Sequence, residues 1–310
     1  MIETMAIQVK NLVKTYGKIQ ALKNVSFDIP HKTIGLLGPN GSGKTTFMKI
    51  LMGLLKYNSG QILIEGEQLS KIAIRERFGY MPENDCQFPG LSGLLSVTYA
   101  GELAGIPYWD SLKRSDHILG YVGLGEAYHR PVGEYSTGMK QRIKLAQALI
   151  HDSPFLLLDE PTNGMDPKGR SFMLDLIRDL KKANKIIILS SHLLKDIEET
   201  CDYVVMLHRG ECLLQSSIQE LKAKQKQPYR IKLREEDVLD PWIESLKKQG
   251  LNPKKGDQLG EVWLPEEAPT RLLFETAQSH QVEIRQIQCV VQSLEDIFIQ
   301  AVQNTTGVSR

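Results

Sequence analysis

Residues 38–46 read GPNGSGKTT, a G-x-x-x-x-G-K-T spacing suited to a nucleotide polyphosphate. Gly38, Gly41 and Gly43 let the backbone of Gly38, Pro39, Asn40, Gly41, Ser42 and Gly43 fold into a nest of N–H groups around phosphate oxygens. A helix opening at the end of the loop adds its positive N-terminus. Lys44 carries the cation that reaches the β- and γ-phosphates, and the Thr45 hydroxyl suits a Mg²⁺ ligand. Thr46 can support a further phosphate contact. A chance Gly-rich turn is the bland alternative. A short apolar strand before the loop (Thr33–Leu37) and helical spacing after it argue against that.

Two more segments bear on the same chemistry. FLLLDE, residues 155–160, is a buried strand ending in two acids. Beside a phosphate loop, Asp159 is placed to hold Mg²⁺ through water, and Glu160 to act as general base on the attacking water. Without that loop the pair would read as solvated acids. In YSTGMKQR, residues 135–142, Ser136 and Gly138 can offer a hydroxyl, N–H groups and a helix N-terminus to a phosphate. One chain does not easily bring two such helix ends to one nucleotide, whereas two chains packed head to tail can.

The elements that must position these groups follow from periodicity. Residues 7–16 and 20–29 alternate apolar and polar and are expected to pair as strands, with turns at Gly17 and Pro30. A helix is expected over Phe47–Leu55 and a strand over Gln61–Glu65. Residues 92–150 show helical spacing punctuated by Gly and Pro. Strands at Phe155–Leu158, Ile186–Ser190 and Tyr203–Leu207 alternate with helices over 167–182 and 193–200, which predicts a mostly parallel, covered sheet. Asp166 before Pro167 predicts a helix cap. After a polar stretch, KAKQKQPYR, strands near 230–233, 261–264 and 283–288 and helices near 241–249, 270–279 and 293–303 predict a small open β-α-β-α-β-α sandwich. The expected organisation is an α/β chain with a P-loop core, an antiparallel β subdomain and a helical subdomain (about 88–150) within residues 1–222, and an α+β accessory domain over 223–310.

The 310 residues carry a formal net charge of +1, which gives no reason to expect nucleic acid as the main partner. The four cysteines, Cys86, Cys201, Cys212 and Cys289, form no C-x-x-C pair and read as reduced thiols. No apolar run approaches the ~20 residues of a spanning helix. If the chain works at a membrane, another subunit is expected to cross it.

Over residues 5–220 the sequence resembles the ATP-binding subunit of an ABC transporter. GPNGSGKTT matches its Walker A loop, FLLLDE its Walker B strand, and YSTGMKQR its LSGGQ signature. GYMPE (79–83) matches the Q-loop region, NGMDP (163–167) the D-loop, and LSSHLL the switch segment. The resemblance implies that Tyr16, in KTYGKIQAL, stacks on adenine, that His192 touches the γ-phosphate or orients the water, and that Glu83 reaches Mg²⁺ or water. Taken alone, Tyr16 would be a half-buried turn aromatic and His192 a capping or surface histidine. Glu83 stands where the family normally has Gln, Tyr135 where the signature has Leu, and Met139–Lys140 replace Gly-Gln. The resemblance further implies ATP and Mg²⁺ as cofactors, a dimer of ATPases with itself or a similar chain, a separate transmembrane permease subunit, and a place on the cytoplasmic face of the membrane. YSTGMKQR, NGMDP and the tail SLEDIF (293–298) are most similar to single-domain ATPases of ABC-2-type exporters. The segment ENDCQFPGLSGLL (83–95) is where the family contacts its permease; packing within the helical subdomain is the other reading.

Two other classes compete. A non-transport ABC ATPase acting on DNA or the ribosome would bring long coiled coils or a second cassette, and this sequence has neither. A P-loop kinase or GTPase has no use for YSTGMKQR or the late His192.

Overall fold

The computed structural model describes residues 5–68, 71–84, 88–224, 229–234, 239–256, 260–264 and 269–289; Cys86 and the helix expected over 293–303 lie outside them. The chain divides into two compact units, one ending at Ile218 and one beginning at Gln219.

In the first unit, β1 (Met5–Tyr16) and β2 (Ile19–Pro30) form an antiparallel hairpin that turns at Gly17. β3 (Thr33–Leu37) is wholly buried and runs into the glycine loop and helix α1 (Lys44–Leu51). This helix begins and ends earlier than the expected Phe47–Leu55. It stops because Gly53 adopts φ 65°, with its N–H bonded to the Ile50 carbonyl at 2.9 Å. β4 (Ser59–Ile64) returns to pair with β1, giving a three-stranded antiparallel sheet in the order β2-β1-β4.

Helix α2 (Lys71–Arg77) and strand β5 (Phe78–Met81) follow; neither was legible in the periodicity, because both are short. The helical segment comprises α3 (Gly93–Leu103), α4 (Tyr108–Tyr121), two 3₁₀ turns, and α5 (Thr137–Leu149). Ser92 caps α3 and Ser136 caps α5, each hydroxyl accepting from a backbone N–H three residues on. β6 (Phe155–Asp159), α6 (Pro167–Lys182), β7 (Ile186–Ser191), α7 (Leu194–Thr200), β8 (Tyr203–His208) and β9 (Glu211–Ser217) complete the unit, and α8 (Ile218–Lys224) begins at its end. Asp166 caps α6, its carboxylate accepting from Gly169 N–H at 3.3 Å with Pro167 in the first turn.

The main sheet runs β5-β6-β7-β3-β8-β9, parallel except for β9. Every residue of β3, β6 and β7 is buried, as a sheet covered on both faces requires. Stacked Phe78 and Phe155 rings, 4.7 Å apart, join β5 to β6. The register sets the site. Asp159 lies opposite Ser190, and Leu37 opposite Ser191, so Gly38, Glu160 and His192 all leave the sheet at the same carboxyl edge.

The second unit contains β10 (Tyr229–Leu233), α9 (Leu239–Lys248), β11 (Lys254–Lys255), β12 (Glu261–Leu264), α10 (Thr270–Ser279) and β13 (Ile284–Cys289). Its antiparallel sheet has the order β11-β12-β10-β13. The described order is therefore β-α-β-β-α-β, the split ferredoxin-like arrangement. The expected alternation missed β11, a two-residue strand of lysines. Trp242 is fully buried in the core and its indole N–H donates to Thr276 Oγ1 at 3.1 Å, tying α9 to α10.

Candidate active site

The glycine loop links β3 to α1 and folds as its residue types require. Gly43 has φ 110°, and a Cβ there would stand 2.7 Å from Leu22 Cδ2 and 2.8 Å from the Ala21 carbonyl oxygen. A Cβ at Gly38 would collide with the Leu207 carbonyl oxygen. The loop encloses a cavity of about 300 Å³, large enough for a small polar ligand. Asn40, Gly41, Ser42, Gly43, Lys44, Thr45 and Thr46 line it, with Glu83 and Glu160 opposite and Ala21 at its side. Gly38 and Pro39 contribute from behind, their carbonyls accepting from Lys44 Nζ at 2.6 and 3.3 Å.

Lys44 is buried, and burial lowers its pKa against the opposing pull of the Glu160, Asp159 and Glu83 carboxylates. Its Nζ is 3.9 Å from Glu160 Oε1. Below it, Asp159 is fully buried at the end of β6. Asp159 Oδ1 accepts from Ser190 Oγ at 2.5 Å and lies 3.5 Å from Thr45 Oγ1, while Oδ2 is buried with no hydrogen-bond partner among the described residues. A buried carboxylate oxygen with an unused lone pair beside a threonine hydroxyl is a hard-oxygen donor set that fits Mg²⁺.

Glu160 leaves the strand with φ 51°, a left-handed conformation uncommon for a residue with a side chain. The bend turns its buried carboxylate toward the cavity. Oε2 lies 2.8 Å from His192 Nδ1 and 3.4 Å from the His192 backbone N. Facing the Glu160 carboxylate, Nδ1 carries the proton, and in the neutral ring Nε2 is then the acceptor. The His192 side chain is 45% exposed, so this nitrogen is within reach of a ligand.

The structure thus brings the 38–46 loop, Glu83, Asp159, Glu160 and His192 to one place. Three other expected residues do not line the cavity. Tyr16 is 46% exposed at the end of β1, with Lys14 Nζ 4.8 Å from its ring centre. Ser136 caps α5, accepting from Met139 N–H at 3.4 Å, and neither it nor Gly138 lines the cavity. Tyr135 is buried, its hydroxyl donating to the Ala127 carbonyl at 3.0 Å, so the departure from Leu leaves the Ser136 cap intact. Sequence reasoning missed Ser190, which steadies Asp159 across the sheet, and Ala21. Ser190 lies within LSSHLL, but only the strand register shows its partner.

The parallel sheet and its phosphate loop define a P-loop nucleoside triphosphatase. The family described as ABC transporter matches residues 22–163. The chain is 36% identical over 297 residues to the uncharacterized ABC transporter ATP-binding protein YxlF of Bacillus subtilis (strain 168), covering 96% of this chain and 99% of that one. It is 37% identical over 210 residues to the lantibiotic transport ATP-binding protein SrtF of Streptococcus pyogenes, covering 67% of this chain and 90% of that one. Among solved structures it is similar to the dimeric, post-hydrolysis ATP-binding cassette MJ0796 bound to ADP and Pi (TM-score 0.63, 25% identity, 68% of this chain and 98% of that one). The chain belongs to the ABC transporter family, among its ATP-binding, ATP-hydrolysing subunits.

Proposed function

We propose that this chain powers an exporter of the ABC-2 type through a head-to-tail pair of ATPase units over residues 1–222, with residues 223–310 as an accessory domain. The observation that carries the site assignment is Glu160 Oε2 lying 2.8 Å from His192 Nδ1, with Glu160 Oε1 3.9 Å from Lys44 Nζ, at the wall of a glycine-lined cavity. Gly38 to Thr46 wrap the phosphates, and Lys44 gives up its two carbonyl contacts to bind them. Tyr16 stacks on adenine. Glu160 takes the proton of the attacking water, and His192 turns its other ring nitrogen toward that water as an acceptor, orienting it. Thr45, Asp159 and Glu83 hold Mg²⁺. When bound, the ion supplies charge neutralisation at the phosphate oxygens.

Ser136 and Gly138 serve the partner's nucleotide. Their absence from the lining of their own chain's cavity and their place at the start of α5 support this division of labour. ATP then holds two chains closed, hydrolysis releases them, and the cycle moves a separate membrane subunit between two states. Among the described residues no helix is long and apolar enough to cross a membrane, which suits an ATPase that sits on the cytoplasmic face through that subunit. Phe88, Leu91 and Tyr99 line an apolar hollow on the helical segment that suits a coupling helix of the permease. The direction of transport rests on YSTGMKQR and NGMDP and on the likeness to the lantibiotic transport protein.

Sizing the full chain carrying Glu160→Gln in ATP and Mg²⁺ tests the paired arrangement. A dimer that appears with ATP and disappears in ADP is expected. A monomer under both conditions would contradict it.

A further inference from the structure

One buried charged cluster lies just outside the residues assigned above. Asp196, in the first turn of α7, is 1% exposed. Its Oδ2 accepts from Thr162 Oγ1 at 2.6 Å, and its Oδ1 from Arg170 Nε at 2.7 Å and Nη2 at 2.5 Å. A carboxylate so buried is tolerated because a guanidinium compensates its charge and both oxygens are bonded.

The placement of this cluster matters more than its strength. Thr162 follows Glu160 by two residues, and Asp196 follows His192 by four. The Glu160–His192 contact and the Thr162–Asp196 contact are therefore two successive rungs between the same two stretches of chain. Arg170 adds a third attachment from α6, the helix that Asp166 caps. The second rung sits next to strained backbone: Glu160 holds φ 51°, a conformation that persists only where the surroundings enforce it. The Glu160 backbone is fixed on one side by its N–H to Ser190 Oγ at 2.9 Å and on the other by Asn163 N–H to its carbonyl at 3.1 Å. Thr162 lies inside that turn, and its bond to Asp196 joins the turn to the segment bearing His192.

We propose that Asp196, bound by Thr162 and Arg170, is a positioning residue that keeps the Glu160 carboxylate and the His192 ring in register at the cavity. The proposal rests on the reading of Glu160 as general base. Neither Asp196 nor Thr162 lines the cavity, so they act through Glu160 and His192, on the rate of the chemical step more than on nucleotide affinity.

The test measures ATP hydrolysis and thermal unfolding of the full chain carrying Thr162→Val, Thr162→Ser, Arg170→Lys or Glu160→Gln. Valine keeps the volume of threonine and removes the hydroxyl. It is expected to lower kcat about tenfold with KM for ATP within about twofold, since misplacing a catalytic group by about an ångström costs up to about a hundredfold. Serine restores the hydroxyl and should return kcat to within about twofold of wild type. Arg170→Lys keeps the charge but loses the forked contact, and should repeat the valine pattern should valine fail to fold. If Glu160→Gln is inactive while Thr162→Val and Arg170→Lys turn over at the wild-type rate, the positioning role is overturned and the base assignment stands. Equal losses in Thr162→Val and Thr162→Ser would also overturn it. If Glu160→Gln itself turns over normally, the base assignment falls, and this proposal with it.

Discussion

Glu160 Oε2 stands 2.8 Å from His192 Nδ1, across the gap between the ends of β6 and β7. Two residues separated by 32 positions meet because Asp159 and Ser190 are neighbours in the parallel ladder, and each functional side chain follows directly or shortly after. The contact fixes the ring tautomer and aims the carboxylate at the cavity.

Glu83→Gln removes one of the three carboxylates that surround Lys44. A phosphate entering the cavity would meet less negative charge, by about 1 kcal/mol for a water-screened pair some ~4 Å apart. Because Glu83 is also read as a Mg²⁺ ligand, the KM for ATP is expected to fall severalfold at saturating Mg²⁺ and the gain to vanish at low Mg²⁺, where the lost ligand offsets it. A titration of KM against Mg²⁺ for both forms checks this; a KM that rises at saturating Mg²⁺ would contradict it.

Gly43→Ala forces a Cβ into left-handed backbone and against Leu22 and the Ala21 carbonyl. Backbone strain of this kind costs about 1–3 kcal/mol, and the collision adds to it. Nucleotide binding measured by calorimetry should be lost or strongly weakened, with a lowered Tm. Gly41→Ala meets no neighbour within 4 Å, although its φ of 78° is also unfavourable, and should do less damage to folding.

Burial pushes the Cys201 thiol up to about 12, from an ordinary value of 9.0. Between those values the folded state binds the proton and the unfolded state does not. Stability from this group is therefore full below about pH 9 and is lost as pH rises toward about 12, with a slope of up to about 1.4 kcal/mol per pH unit. Denaturant unfolding from pH 8.5 to 10.5 should show a steeper decline in the wild type than in Cys201→Ala. Parallel declines would contradict the assignment.

Trp242→Ala empties the centre of the second unit and removes the bond to Thr276. A loss of about 3–5 kcal/mol is expected there. Hydrogen exchange should report it as faster exchange at β12 and α10 amides.

How much of this was legible in sequence depended on whether the information was local. The 38–46 loop was, because every residue of the cradle lies within one turn of chain between an apolar strand and a helix. Asp166 before Pro167 was, because a cap and its helix are adjacent. Strand β6 was, because an unbroken FLLL run has little choice but to be covered. Helix α2 and strand β5 were not, since short elements carry too few residues to show a period. Strand β11 was not, since two lysines at a sheet edge look like a polar loop. The support around the site was least visible. Ser190 under Asp159 and Asp196 behind Thr162 are fixed by register and helix docking, and in sequence both look like ordinary polar residues beside apolar ones.

The measurement that bears most directly on the account is the steady-state ATP hydrolysis rate of the full chain against Glu160→Gln, with ATP binding followed in parallel. Glutamine keeps the shape of the side chain and cannot take a proton. A kcat lowered by at least about a hundredfold, with binding retained, is expected. Turnover at the wild-type rate in Glu160→Gln would contradict it, because no other assignment at this cavity makes Glu160 dispensable.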